Sequence, residues 1–355
     1  MTPGQVKLAP ARLEPVFSPR PWGSLSLAPH FAEQSGLAEP IGEAWMTGND
    51  SRFANGPFAG QTLRHAWRAM PRQWAGTASD CKRDFPLLVK FLFTEAKLSV
   101  QVHPGDEHAA QFEPELGGRG KTEMWYALRA QPGAEVMVGL KPDITADEFR
   151  RCIDNSTVED CLMRIPVQAG DAIFVPAGAA HSIGPGLLLC EIQQHSDITY
   201  RVYDYNRPDA SGKLRDLHIE KALQVIRFGP QRGGKVDPVR VARRDVKESY
   251  LAACAYFVTE KWEFEGTLER RTSPMHFDIL IFVEGHGQIR CGDEQFAYRP
   301  TEVWMLPARL GEYRLEPASA TSVLRTFVPP KLKEWVTGLA NHGVAKAELM
   351  RVLHP

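Results

Sequence analysis

The chain has 355 residues, and its 42 basic and 43 acidic side chains give a formal net charge of −1 at pH 7. This near balance excludes a protein that binds nucleic acid through bulk positive charge, and a hydrophobic content of 43% excludes wholesale disorder. The length suggests two domains, and the 29 glycines and 27 prolines indicate many turns, which favours β structure over a helical bundle.

Nothing in the sequence indicates a membrane segment or export. No run of 18 consecutive apolar residues occurs, and residues 1–21 lack the apolar stretch behind basic residues that is typical of a secretory signal. The six cysteines are scattered without a C-x-x-C pair, as in a cytosolic protein with free thiols. We therefore expect a soluble cytoplasmic protein that has no membrane or nucleic-acid partner.

Strands dominate the predicted elements as far as residue 203. A helix is predicted at 61–70. Apolar or alternating runs predict strands at 86–93, 97–103, 123–128, 135–139, 172–175, 187–193 and 199–203. Thr145 and Glu148 match a capping box, which predicts a helix immediately after Thr145, and a further helix is predicted at 217–228.

The end of the chain is also predicted to form short strands. A basic segment that contains glycine, at 229–245, indicates a boundary. Beyond it, strands are predicted at 256–264, 277–283, 287–290 and 303–306, and a helical tail at 331–353. The sequence therefore predicts a mainly β protein with two all-β lobes and a few helices.

The predicted strand at 97–103 has one polar face and one apolar face. Alternate side chains of a strand point to opposite sides. The polar side chains that share a face are Lys97, Ser99, Gln101 and His103. This pattern predicts a strand aimed at a polar pocket, and an exposed surface strand is the alternative if the segment is considered alone.

Other segments supply donors of the same kind. Glu123 shares one face of its predicted strand with Lys121, and His181 follows a Pro-x-Gly turn. Two imidazoles, a carboxylate and an amide oxygen suit Zn²⁺ or another borderline divalent ion, with positions left for water or substrate. The candidate metal ligands are therefore Gln101, His103, Glu123 and His181.

The segment at 170–181 resembles the second cupin motif, with Gly170, Pro176, Gly178 and His181 at the motif's spacing and Pro185 in place of its final Asn. The Gln-x-His…Glu arrangement resembles the first cupin motif as it occurs in type I phosphomannose isomerases. Four further segments look like that family: Trp22-Gly-Ser24, Gly42-Glu-Ala-Trp45, 120–126 and 191–204. The resemblance covers residues 22–207 in order, whereas residues beyond about 230 resemble only a second cupin-like lobe.

The resemblance implies a fold of two cupin-like jelly-roll lobes. The first, at 1–235, would be the catalytic metal-binding domain, and the second, at 236–355, would lack a metal and end in the helical tail. The chain looks like the short bacterial form of the family. The family's pattern implies one Zn²⁺ per chain, with Gln101, His103, Glu123 and His181 as its ligands.

The same resemblance implies an enzyme that interconverts mannose 6-phosphate and fructose 6-phosphate through an enediol. Arg201 falls on the family's catalytic arginine, and Lys121 and Ser99 match positions at the substrate. A metal can act as a Lewis acid in this chemistry, and the substrate phosphate calls for cationic and hydroxyl donors. The candidate catalytic residues are Arg201 and Lys121, and the candidate substrate-binding residues are Ser99, Lys121, Glu191, Arg201 and Arg207.

Several questions stay open on the sequence alone. The group that carries the proton is Glu191, His195, Lys121 or a metal-bound water. The alternatives to the main hypothesis are an isomerase for another sugar phosphate, an iron-dependent oxygenase, and a non-catalytic cupin that binds or senses a sugar. Cupins host many functions, so the fold does not choose among these. The oligomeric state is either a monomer or a homodimer.

Overall fold

The computed structural model describes residues 6–208, 212–230 and 233–354, and in this part of the chain strands predominate over helices, as predicted. The strands up to residue 203 are β1 (Ala11–Leu13), β2 (Val16–Ser24), β3 (Ile41–Trp45), β4 (Leu87–Thr94), β5 (Val100–Val102), β6 (Glu123–Ala130), β7 (Glu135–Leu140), β8 (Leu162–Pro166), β9 (Ala172–Val175), β10 (His181–Ile183), β11 (Leu187–Gln194) and β12 (Tyr200–Tyr203).

The later strands are β13 (Gly234–Lys235), β14 (Val239–Ala242), β15 (Lys247–Ala253), β16 (Val258–Phe264), β17 (Leu268–Arg271), β18 (Asp278–Glu284), β19 (Gly287–Cys291), β20 (Glu294–Tyr298), β21 (Val303–Leu306), β22 (Glu312–Pro317) and β23 (Thr321–Phe327). The helices are α1 (Leu63–Ala69), α2 (Arg72–Ala75), α3 (Asp106–Phe112), α4 (Ala146–Asp154), α5 (Ile219–Val225), α6 (Leu332–Asn341) and α7 (Lys346–Leu349), with short 3₁₀ turns at Pro114–Leu116 and Val158–Cys161. None of the described helices is long and apolar enough to cross a membrane.

The chain folds into two compact units. The central unit comprises Phe17–Ala44 and Leu88–Val236, and the flanking unit comprises the described residues up to Val16, Trp45–Leu87 and the described residues from Asp237 onward. These units do not coincide with the predicted division at 235/236, because β1 pairs with β21 and so joins the start of the chain to the flanking unit. The roles of the two units as metal-binding and metal-free domains stay a prediction.

Two sheets build the central unit. Their strand orders are β13-β9-β6-β11-β4-β3-β2 for a seven-stranded sheet and β12-β5-β10-β7-β8 for a five-stranded sheet. Buried side chains of both sheets share one core, to which Trp125 and Ile173 come from the first sheet and Val136 and Ile183 from the second. The interior between the sheets is the place where the site lies.

Helices cover the other face of the five-stranded sheet. Val100 and Val102 of β5 pack in a second core with Phe149 of α4 and Val225 of α5. The alternation predicted for 97–103 is therefore confirmed at these two valines, although the strand itself is only Val100–Val102. Because both valines point toward the helices, the side chain of Gln101 between them points to the opposite face, into the interior between the two sheets.

The capping box predicted at the start of α4 is present, since the Thr145 hydroxyl accepts from the Glu148 backbone N–H at 3.2 Å and the Glu148 carboxylate accepts from the Thr145 N–H at 2.9 Å. We expect Thr145→Ala to lower the free energy of unfolding by about 1 kcal/mol, because it leaves an orphaned N–H at the helix terminus. Urea unfolding measures the change. Thr157→Ala is the matched control, because Thr157 precedes a 3₁₀ turn without a side-chain cap bond, and an equal loss in both variants would contradict the capping argument.

The flanking unit is also built from two sheets. Their orders are β1-β21-β18-β23-β16-β15-β14 and β17-β22-β19-β20, and a core that includes Trp262, Leu280, Ile289 and Leu315 draws on both. The helical tail predicted at 331–353 is two helices. They are separated at Gly343, whose φ of 89° lies in the left-handed region that ends helices.

Candidate metal and substrate site

Three neighbouring strands of the five-stranded sheet bring polar residues together. Gln101 of β5 pairs with His181 of β10 on one side and with Arg201 of β12 on the other. His103 stands just after β5, and Glu123 begins β6 of the opposing sheet. The two sheets thus place an amide, two imidazoles, a guanidinium and a carboxylate in one interior region.

The three residues with the strongest metal-binding groups form a buried cluster. The ligand atoms of His103, Glu123 and His181 all lie within 4.8 Å of one another. The two Nε2 atoms are 3.7 Å (His103) and 3.6 Å (His181) from a carboxylate oxygen of Glu123. Gln101 adjoins this cluster, since its Nε2 is 3.3 Å from His181 Nε2. The fourth predicted ligand therefore lies beside the other three.

The imidazoles are held with Nε2 toward the cluster. The Nδ1 of His103 is 2.8 Å from the carbonyl oxygen of Ile198, and the Nδ1 of His181 is 2.9 Å from that of Ala179. A carbonyl can only accept, so each Nδ1 donates and each Nε2 keeps its lone pair. Burial, followed by the charge of Lys121, lowers the pKa of His103, and burial lowers the pKa of His181 to about 4. Both rings are therefore neutral, as a metal ligand requires.

The donor set fits a divalent cation. Glu123 Oε1 is buried without a hydrogen-bond partner among the described residues. A buried carboxylate oxygen in that state is costly unless a cation accepts it. Two neutral imidazoles and one carboxylate are a common ligand set of catalytic zinc sites, which keep a position open for water or substrate. The cluster can therefore hold a metal ion.

Lys121 lies directly against this cluster. Its Nζ is 3.1 Å from His103 Nε2, forms an ion pair with Glu123 and is 3.6 Å from Glu191 Oε1. Burial acts to lower the pKa of Lys121, but the charges of Glu123 and Glu191 outweigh it and the pKa is raised. Glu191 has its pKa raised by burial against the opposing charge of Lys121, and it accepts a 3.2 Å bond from Trp125 Nε1.

A cavity of about 430 Å³ opens on this region. Six of the predicted site residues line it: Ser99, Gln101, Lys121, Glu123, Glu191 and Arg201. Ser99 also donates to Gln101 Oε1 at 3.0 Å, and so holds that amide. The Nε of Arg201 is buried without a partner among the described residues, and burial, followed by the charge of Arg215, lowers the pKa of Arg201.

Four of the predicted residues are not among the described residues that line this cavity: His103 and His181 of the buried cluster, and Arg207 and His195 outside it. Arg207 donates to the carbonyl of Lys97 at 2.6 Å and to Asp204 Oδ1 at 2.5 Å, so its guanidinium is committed to the protein. His195 also lies outside the lining residues. The substrate-binding role of Arg207 and the proton-carrying role of His195 stay predictions.

Sequence reasoning missed five charged residues that line the cavity: Arg20, Glu43, Lys90, Asp197 and Arg215. The sequence could have marked Lys90 as a candidate site residue, because it is a single lysine inside the apolar strand predicted at 86–93. Its Nζ is 3.7 Å from Glu191 and 3.2 Å from Asp197. No sequence pattern marked Arg215, since it lies outside every predicted strand and just before the predicted helix at 217–228.

Comparison with known proteins identifies the family. Residues 11–137 match the family model described as phosphomannose isomerase type I, catalytic domain, and residues 247–324 match the model described as mannose-6-phosphate isomerase, cupin domain. The mannose-6-phosphate isomerase ManA of Bacillus subtilis is 35% identical over 314 residues, covering 86% of this chain and 96% of its own. The mannose-6-phosphate isomerase of Streptococcus mutans is 33% identical, covering 83% of this chain and 91% of its own.

Solved structures agree with this result. The crystal structure of the Bacillus subtilis mannose 6-phosphate isomerase matches with a TM-score of 0.81 and 30% identity, covering 91% of this chain and 99% of that one. A structure of a putative mannosephosphate isomerase from Archaeoglobus fulgidus matches with a TM-score of 0.69 and 18% identity, which supports the fold alone. The family resemblance and the cupin character of the second lobe are thereby confirmed. The chain belongs to the type I mannose-6-phosphate isomerase family of metal-dependent enzymes.

Proposed function

We propose that the chain interconverts mannose 6-phosphate and fructose 6-phosphate through an enediol, with one Zn²⁺ held by His103, Glu123 and His181 beside Gln101. The observation that carries this proposal is the buried three-residue cluster, whose Glu123 lines a charged cavity. The relatives named for this activity, at 33–36% identity, support the choice of substrate. Two imidazoles and a carboxylate suit Zn²⁺ and also non-haem Fe²⁺; an isomerisation that needs a Lewis acid and no change of oxidation state favours Zn²⁺.

The isomerisation moves a proton between C1 and C2 of the sugar. When bound, a divalent cation supplies Lewis-acid stabilisation of the negative charge that develops on the two neighbouring oxygens. Arg201 adds a fixed positive charge from β12, and its unpartnered Nε offers a donor inside the cavity. Because that Nε is buried, its charge acts more strongly than it would in bulk solvent.

We assign the proton transfer to the Lys121 and Glu191 pair. Both side chains line the cavity and lie 3.6 Å apart, whereas His195 is not among the described lining residues. Glu191 is oriented by the indole of Trp125, and Lys121 by its contacts with Glu123 and His103. A carboxylate held in this way can take a proton from the sugar and return it to the neighbouring carbon.

A coupled isomerase assay on the purified holoenzyme tests the proposal. Mannose 6-phosphate is offered beside glucose 6-phosphate and other hexose 6-phosphates, and formation of fructose 6-phosphate is followed. We expect efficient turnover of mannose 6-phosphate. Exclusive turnover of another hexose phosphate would replace the substrate, and binding of sugars without any turnover would favour the non-catalytic alternative.

A further inference from the structure

The cations that line the cavity are not equally available to a ligand. Three of them lie within ion-pair distance of carboxylates that line the same cavity: Lys121 of Glu123 and Glu191, Lys90 of Glu191 and Asp197, and Arg20 of Glu43. Arg201 and Arg215 differ from these. Arg201 has a buried Nε without a partner among the described residues, and the carboxylate that holds Arg215 is not part of the lining.

Arg215 is gripped along one edge of its guanidinium. Its Nε donates to Asp204 Oδ2 and its Nη2 to Asp204 Oδ1, both at 2.5 Å. A bidentate pair of this kind fixes the plane of the guanidinium as well as its position. The Nη1 edge makes no hydrogen bond to any described residue, and the side chain lines the cavity. Arg215 is thus held by one edge and open along the other.

The carboxylate that grips Arg215 is itself set in a constrained turn. Asp204 is buried and directly follows β12. The next two residues, Tyr205 and Asn206, have φ values of 57° and 51°, in the left-handed region that residues other than glycine seldom adopt. Tyr205 donates to Glu159 at 2.7 Å. Backbone strain of this kind persists where the surroundings enforce it, and it concentrates at ligand clamps and active sites.

We propose that Arg215 binds the phosphate group of the substrate, and that Asp204 is the residue that positions it. This assignment rests on the proposed function. Carbons C1 and C2 of the sugar react at the metal cluster, so the phosphate on C6 lies at the far end of the substrate. A guanidinium with one free edge matches the oxygen spacing of a phosphate dianion, and Arg215 is one of the residues that line the cavity.

Steady-state kinetics of Arg215→Met with mannose 6-phosphate tests the proposal, with inorganic phosphate as a competitive inhibitor. We expect KM and the inhibition constant of phosphate to rise together by roughly tenfold to a hundredfold, since one charge-assisted contact is lost. We expect kcat and the metal content to stay close to the wild-type values. Arg215→Lys keeps the charge without the fork and should recover only part of the loss.

Two further variants separate binding from a merely structural effect. Asp204→Asn weakens the grip on Arg215 and should raise KM while kcat is kept. Arg150→Met removes a partly exposed arginine of α4 that pairs with Glu220 outside the cavity lining, and its KM should not change. A wild-type KM and phosphate inhibition constant in Arg215→Met would overturn the proposal, and if that variant unfolds, unchanged constants in Arg215→Lys would do so.

The proposed function and the phosphate assignment fail in different ways. Calorimetric titration of the holoenzyme with inorganic phosphate measures the subsite without any turnover. Weaker phosphate binding in Arg215→Met than in Arg150→Met supports the subsite even if the wild-type enzyme acts on another hexose phosphate. Equal phosphate binding in these two variants, with normal turnover of mannose 6-phosphate, overturns the subsite and leaves the proposed function intact.

Discussion

Removal of the metal by a chelator is expected to abolish isomerisation of mannose 6-phosphate, and addition of Zn²⁺ is expected to restore it. The cluster of His103, Glu123 and His181 is buried, and it supplies a ligand set for a cation where Lewis-acid chemistry is needed. Elemental analysis of the purified protein should find about one zinc per chain. The coupled assay is run before dialysis against chelator, after it, and after zinc is returned.

Two variants test whether the metal is bound at this cluster. Glu123→Gln should lose most of its metal together with its activity, because a neutral amide replaces the only anionic ligand of the cluster. His108→Asn is the matched control, since it removes a histidine of α3 in the same unit that is not part of the cluster. Vigorous turnover in a preparation shown to be free of metal would refute the zinc proposal.

Arg201→Ala is expected to lower kcat by roughly a hundredfold to a thousandfold while the metal content stays intact, the loss typical of removing a donor aimed at developing charge. The side chain lines the cavity, whereas only the backbone of Arg201 is paired with Gln101. The ligands should therefore keep their places. Arg150→Ala serves as the control, and near-normal kcat in Arg201→Ala would remove Arg201 from the mechanism.

The metal cluster could be predicted from the sequence because local patterns encode it. Gln101 and His103 are two residues apart on one face of a strand, and the turn before His181 is marked by Pro176 and Gly178. Alternation along a strand needs no knowledge of distant parts of the chain. The two faces of Val100–Val102 were therefore accessible before the fold was known, whereas Leu98, predicted on the apolar face, lies before the strand and lines the cavity.

Arg20 and Arg215, which also line the cavity, could not be predicted from the sequence in the same way. Arg20 lies on β2, whose sequence contains Pro19 and Pro21, and prolines argue against a strand. The two prolines are tolerated within this strand because β2 lies at the edge of its sheet. Arg215 comes after a strained turn that follows β12, and its guanidinium donates to the carboxylate of Asp204. Such contacts are set by packing over long distances along the chain.

The strength of the helix-start pattern explains why α4 was predicted from the sequence and α3 was not. The start of α4 was found because Thr145 and Glu148 form a capping box. The helix α3 was missed because it has no capping box: Gly105, the residue before it, makes no side-chain cap bond, and the acidic Asp106 and Glu107 of its first turn are a weaker start signal. The short strands of the flanking unit, such as β17 and β20, were missed because few residues of each are buried.

The pairing of β5 with both of its neighbours limits how this enzyme can change. Gln101 has its side chain in the interior while Val100 and Val102 pack against the helices, so a deletion or insertion of one residue here would exchange the two faces. The amide would then enter the helical core, and a valine would replace it beside His181. Substitutions can reshape the cavity wall gradually, but a change of length in β5 would remove the metal site and disrupt the core in a single step.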